Sequence, residues 1–185
     1  GLLAQVVSSP FYQELRTNQQ LGYLVFASPM PFLEVPGMAF VVQSPVAGPL
    51  QLEDRIATFL QQYREELAAM SDEELERHKS GLISRILEQS RTLADETGRL
   101  WTDIRFGHYD FDSPTQLADA VRAIDKEQLV AAYDALLLSR DRRTLVVRAV
   151  PEQAVERITQ SRADGGLEPV TDALAFKRGR VAIAD

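Results

Sequence analysis

Arg16 and Tyr23 stand seven residues apart in the stretch Phe11-Tyr12-Gln13-Glu14-Leu15-Arg16-Thr17-Asn18-Gln19-Gln20-Leu21-Gly22-Tyr23-Leu24-Val25-Phe26. One carries a guanidinium with five N–H donors and the other a phenol, so both donate strong hydrogen bonds. With a helix ending near Thr17 to Gln19 and a strand beginning at Leu21, the two groups would converge on one carbonyl or carboxylate beside the turn. That would make them a substrate-polarising pair. A purely structural role is open beside this one: Arg16 answering the carbonyls at the helix end or pairing with Glu14 or Glu34, and Tyr23 packing on the hairpin.

Other chemistry-bearing residues are sparse. There are two histidines, His78 and His108, thirty residues apart, and no cysteine, which excludes disulfides and thiolate chemistry. Glu74 and His78 share a helix face at i and i+4, but the surrounding run is dense with charge and reads as solvated. His108-x-Asp110-x-Asp112 has the look of a metal loop, yet it directly precedes Ser113-Pro114, where acidic residues favour a helix N-terminus. Neither pair is expected to bind metal. A Gly-rich phosphate loop, a nucleophile elbow and a dinucleotide fingerprint are all missing, so nucleotide binding has no support.

The elements that must position Arg16 and Tyr23 follow from local signals. Ser9-Pro10 marks a helix start, predicting a short helix from Pro10 to about Gln19, with Leu2 to Val7 ending an earlier one. Tyr23 to Ala27 and Met38 to Gln43 are rich in β-branched and aromatic residues, which predicts a hairpin with a long loop. Leu21 would anchor the turn and Gly22 would let the chain bend into the strand; Met38, Phe40 and Val42 are expected in the core. From Glu53 the apolar period becomes helical through Ile56, Phe59, Leu60, Tyr63 and Leu67. Ser71-Asp72-Glu73-Glu74 fits a capping box, and further helices are expected from Thr92 to Gly107, after Ser113-Pro114 and after Asp125. Thr144 to Val150 is expected to form a third strand. Residues 1–150 are thus one α+β domain, a mostly antiparallel sheet with helices packed on one face. Residues 151–185 form a tail, with a weak helix at Val155 to Ser161 and then a mobile segment.

The run Phe11 to Phe26 resembles the C-terminal, non-catalytic half of the pitrilysin and insulin-degrading family of zinc metallopeptidases, the inverted-motif zincins, where Phe-x-x-Leu-Arg-Thr-x-x-Gln-Leu-Gly-Tyr recurs with the same spacing. The likeness extends loosely through Gly37 to Ser44 and the helical region Glu53 to Phe111, and Phe176-Lys177-Arg178-Gly179 also fits. It implies a metallohydrolase-like domain truncated at its front, lacking strands that precede the helix into Arg16. It further implies that Arg16 and Tyr23 face a catalytic chamber, contact a peptide near its scissile bond and polarise its carbonyl. A donor in that oxyanion-type position contributes roughly 3 kcal/mol where water is excluded. The family's zinc site, His-x-x-Glu-His, is not here: His78 precedes Lys79-Ser80-Gly81 and His108 precedes Tyr109-Asp110-Phe111. The resemblance therefore implies no catalytic residue and no metal in this chain. Zinc would be supplied by a missing N-terminal catalytic half, the chain's expected partner alongside peptide substrate. Subtype stays open between an oligopeptidase and the peptidase associated with pyrroloquinoline quinone maturation.

Composition bounds the rest. A chain of 185 residues with 45% hydrophobic content suits one core. A net charge of -7 argues against nucleic-acid partners, and it departs from the basic C-terminal half of the insulin-degrading members. The local cluster Arg140, Arg142, Arg143 and Arg148 reads as a solvated approach to the last strand. With no run of about 18 apolar residues, no membrane span is expected. Gly1-Leu2-Leu3-Ala4 reads as the interior of a longer chain, whose compartment, bacterial periplasm or cytoplasm, is open. A truncated face invites pairing with a second copy. The competing reading is a helical protein-interaction module in which Arg16 and Tyr23 only stabilise the fold.

Overall fold

The computed structural model describes residues 1–31, 35–150, 170 and 172. The chain forms two compact units, Gly1–Val146 and Val147–Asp185. The helix expected at Val155 to Ser161, the tail after it and Glu34 lie outside the described residues.

Helix α1 (Leu2–Tyr12) runs without a break into a π-helical turn, Gln13–Asn18. The expected boundary at Ser9-Pro10 is not there: Pro10 sits inside α1. Proline lacks the N–H that Val6 would otherwise receive from four residues on. The hydroxyl of Tyr63 donates to the Val6 carbonyl instead, at 2.8 Å. Leu2, Ala4, Val6, Val7 and Phe11 are buried, so α1 is the central element of the core.

Strands β1 (Leu24–Pro29) and β2 (Met38–Gln43) pair antiparallel, with Leu24 opposite Gln43 and Phe26 opposite Val41. Side chains alternate across the pleat. Val25 and Ala27 are buried, and Met38, Phe40 and Val42 pack partly buried against the same core, as their alternation requires. Leu24 and Phe26 face outward and are exposed. Among the described residues the sheet has two strands, not three. Thr144 to Val150 forms no strand, because β propensity makes a strand only where a neighbour accepts its backbone bonds.

Helix α2 (Pro49–Ala69) starts four residues before Glu53, with Gly48 as N-cap and Pro49 at the first helical position. It buries Phe59, Leu60, Tyr63 and Leu67. Phe11 meets Phe40 and Phe59 edge-on at 5.2 and 5.3 Å, and Phe59 stacks on Tyr63 at 5.4 Å. Each such pair contributes about 1 kcal/mol beyond its buried area. Helix α3 (Asp72–Ile86) is capped by Ser71, whose Oγ accepts from Glu74 N at 3.2 Å.

Helix α4 (Leu93–Phe106) opens on a full capping box between Thr92 and Asp95 and closes at Gly107, whose φ of 76° is the left-handed stop that glycine adopts freely. Its apolar stripe is solvent-facing, with Leu93 83% and Trp101 61% exposed. Helix α5 (Ser113–Ala123) packs on α3. Helix α6 (Lys126–Tyr133) begins with a capping box between Asp125 and Gln128 and passes into a second π turn, Asp134–Leu138. Tyr133 donates to Leu60 O at 2.6 Å, and Arg64 grips Asp134 with both ends of its fork, at 3.2 and 3.0 Å. The fold is therefore α+β, a short antiparallel hairpin with helices on its inner face.

Candidate functional site

The π turn brings Arg16 to the end of its helix. Gln19 N donates to Glu14 O across five residues at 2.9 Å, the signature of that wider turn. The helix then stops at Gln20, which adopts φ 52°, and Leu21 N returns to Leu15 O at 3.0 Å. Leu21 is buried, as its anchoring role requires. Gly22 follows, and its importance is steric rather than flexural: a Cβ there would lie 1.9 Å from the Gln43 carbonyl oxygen on β2. Only a residue without a side chain lets the chain enter β1 this close to its partner.

Arg16 and Tyr23 come together at this corner. The Arg16 guanidinium carbon stands 5.0 Å from the Tyr23 ring centroid, within cation–π range. Its Nη1 donates to Gly22 O at 2.6 Å, and its Nε donates to the Tyr12 hydroxyl at 2.9 Å. Glu14 is occupied elsewhere, accepting from Asn18 at 2.6 Å and from Gln19 at 2.9 Å. Those two donors hold its carboxyl below the usual range, Gln19 first and Asn18 second. Arg16 thus takes a carbonyl just beyond the helix, in line with one part of the structural reading, and does not pair with Glu14. Tyr23 is 85% exposed rather than packed on the hairpin.

The three side chains line a shallow cleft of about 550 Å³ together with Thr17, Gln20, Gly22 and Pro45. The cleft presents donors and one positive charge. Sequence reasoning singled out Arg16 and Tyr23 but missed Tyr12; the signal was its position four residues before Arg16, on the same helical face.

A zinc ion of the inverted-motif type needs two histidines and an acid gathered at one point. The described residues contain no group of three or more His, Asp or Glu side chains that could hold a metal. His78 lies on α3 and His108 follows α4, each apart from the Arg16 cleft. The zinc centre does not fit this chain's described residues.

Comparison with known proteins gives a consistent picture. Residues 2–101 match the family model described as PQQ synthase PqqF-like, C-terminal lobe domain 4. A nardilysin-like protein of Arabidopsis thaliana is 33% identical over 178 residues, covering 95% of this chain and 17% of that protein. Insulin-degrading enzyme of Drosophila melanogaster is 31% identical over 185 residues, covering 96% and 19%, and protease 3 of Escherichia coli is 34% identical over 129 residues, covering 70% and 13%. The crystal structure of pitrilysin superposes with a TM-score of 0.70 at 28% identity, over 82% of this chain and 17% of that one. The chain spans about a sixth of the length of these relatives. It belongs to the insulinase and pitrilysin family of metallopeptidases, as a PqqF-like domain 4 of the C-terminal lobe.

Proposed function

We propose that this chain is the non-catalytic wall of a peptide-cleaving chamber, holding substrate with Arg16 and Tyr23 while a separate catalytic half of the same peptidase supplies zinc. The supporting observation is the open cleft in which a guanidinium and a phenol meet with donors to spare. A peptide carbonyl seated there would receive hydrogen bonds from both groups, and each would stabilise charge developing on its oxygen. The chain on its own is then silent as a peptidase. The names of its relatives, insulin-degrading enzyme and protease 3 among them, agree with peptide as substrate.

The test is alanine at Arg16 and at Tyr23 in the full-length polypeptide. Each substitution should remove most peptide turnover, by 100-fold or so for a lost oxyanion-type donor, while bound zinc is retained. One observation favours a second reading, in which the chain is a helical interaction module: the Arg16 to Gly22 bond would latch the turn even without substrate. Under that reading the same alanines leave turnover unchanged and lower only the melting temperature.

A further inference from the structure

We propose that Tyr12 is a positioning residue for Arg16, fixing through its hydroxyl which guanidinium donors reach the substrate. The inference rests on the reading of Arg16 and Tyr23 as substrate contacts and adds a third residue to it.

An arginine side chain on a surface samples many rotamers, and ordering it on binding carries an entropic cost. Here that ordering is done before any ligand arrives. Tyr12 Oη accepts from Nε at 2.9 Å and Gly22 O accepts from Nη1 at 2.6 Å, so the fork is held at two of its corners. The Tyr12 ring centroid lies 5.8 Å from the guanidinium carbon, and Tyr23 stands at 5.0 Å, so aromatic rings confine the same group. Of five guanidinium N–H groups, two are spent, and the three that remain belong to the terminal nitrogens. Without the phenol oxygen, Nε would compete with them for the substrate carbonyl, and the fork would swing about its single remaining bond. Tyr12 does this by accepting, a role its ring alone cannot fill. Tyr12 is 45% exposed, so its ring is not held in the core and the hydrogen bond to Arg16 is its main polar tie to the protein.

The experiment compares Tyr12→Phe, Arg16→Ala and the double substitution in the full-length peptidase, using a fluorogenic peptide. Tyr12→Phe keeps the ring and deletes only the acceptor. It should lower kcat about tenfold, the effect of one hydrogen bond to a charged group, with KM changed less than twofold and melting unchanged. In the Arg16→Ala background it should add no further loss, because a residue that acts through Arg16 has nothing left to position. In the isolated chain, the Arg16 Nε–H resonance should exchange slowly with water and be lost in Tyr12→Phe. Full turnover in Tyr12→Phe beside a crippled Arg16→Ala overturns the role of Tyr12 alone. Full turnover in Arg16→Ala overturns the contact reading beneath it. Losses that multiply in the double variant, or an Nε–H signal unaffected by Tyr12→Phe, also overturn the proposal.

Discussion

The Tyr63 hydroxyl stands in for a backbone donor that α1 lacks: it bonds Val6 O at 2.8 Å, the carbonyl that Pro10 leaves without its helical partner. Helix α1 can therefore pass through a proline and still deliver Arg16 at its far end. The bond ties α1 to α2 across 57 positions of sequence, inside the aromatic cluster around Phe59.

Tyr63→Phe should lower the thermal midpoint by roughly 5 °C, because the buried Val6 carbonyl then loses the donor that replaces the missing Pro10 N–H. The pH dependence follows from the same burial. Desolvation first, then Glu66 and Glu74, pushes the Tyr63 phenol up to about 12. Burial also raises Tyr133, with Tyr63, Asp134 and Glu66 adding to it. A folded-state value above the ordinary one near 10 means that the stabilisation is complete below about pH 10 and is lost as pH rises toward 12. Thermal melts followed by circular dichroism between pH 8 and 12 should show that fall. It should be shallower in Tyr63→Phe, and an identical slope in both proteins would refute the assignment.

Gly22→Ala should be among the most damaging single-methyl additions in the chain. A Cβ at 1.9 Å from Gln43 O and 2.8 Å from Gln43 C meets backbone, which cannot rotate away as a side chain could. The cost should reach about 3 kcal/mol, and the hairpin must part beside the carbonyl that holds Arg16. Chemical denaturation measures the loss. A change under about 1 kcal/mol would mean that β1 and β2 do not approach each other this closely at Gly22.

The corner itself was legible in sequence because its signals are local. A helix running out of apolar period, a glycine and a β-branched run are enough to bring Arg16 and Tyr23 to one turn. The helix starts at Thr92 and Asp125 were readable for the same reason, since the capping box that closes each lies within four residues. What sequence could not supply were partners from far away. Pro10 reads as a helix start unless Tyr63 is known to satisfy Val6. Thr144 to Val150 has the composition of a strand, but no described neighbour accepts its ladder. Tyr12 was hidden differently: its spacing to Arg16 was visible, but a positioning role follows only once Gly22 O is seen to hold the other end of the fork.

Gln20→Gly should stabilise the chain. Gln20 occupies the left-handed position that ends the helix, at φ 52°, where a side chain costs about 1 kcal/mol relative to glycine. Relief of that strain should outweigh the greater freedom of glycine in the unfolded chain, leaving a gain of a few tenths of a kcal/mol to about 1 kcal/mol. Urea unfolding of the two proteins decides it, and a loss of stability would show that the Gln20 side chain contributes contacts worth more than its backbone strain.

The isolated chain should self-associate, and the response to salt identifies how. Leu24 and Phe26 on the outer side of the hairpin, and Leu93 and Trp101 on α4, are exposed apolar groups on elements whose opposite sides are packed or polar. Copies of a chain carrying a net charge of -7 repel one another, so apolar contact must form against that repulsion. Raising ionic strength from 0.05 to 0.5 M shortens the screening length from over about 10 Å to under about 5 Å, and association should strengthen. Light scattering over a concentration series at both salts reports the mass, while Trp101, the single tryptophan, reports burial of α4 through a blue-shifted emission. Phe26→Lys should reduce association through the hairpin, and Trp101→Lys association through α4. Weakening by salt would point to ion pairs instead of apolar faces, and a monomer at every concentration and salt would rule out self-association altogether.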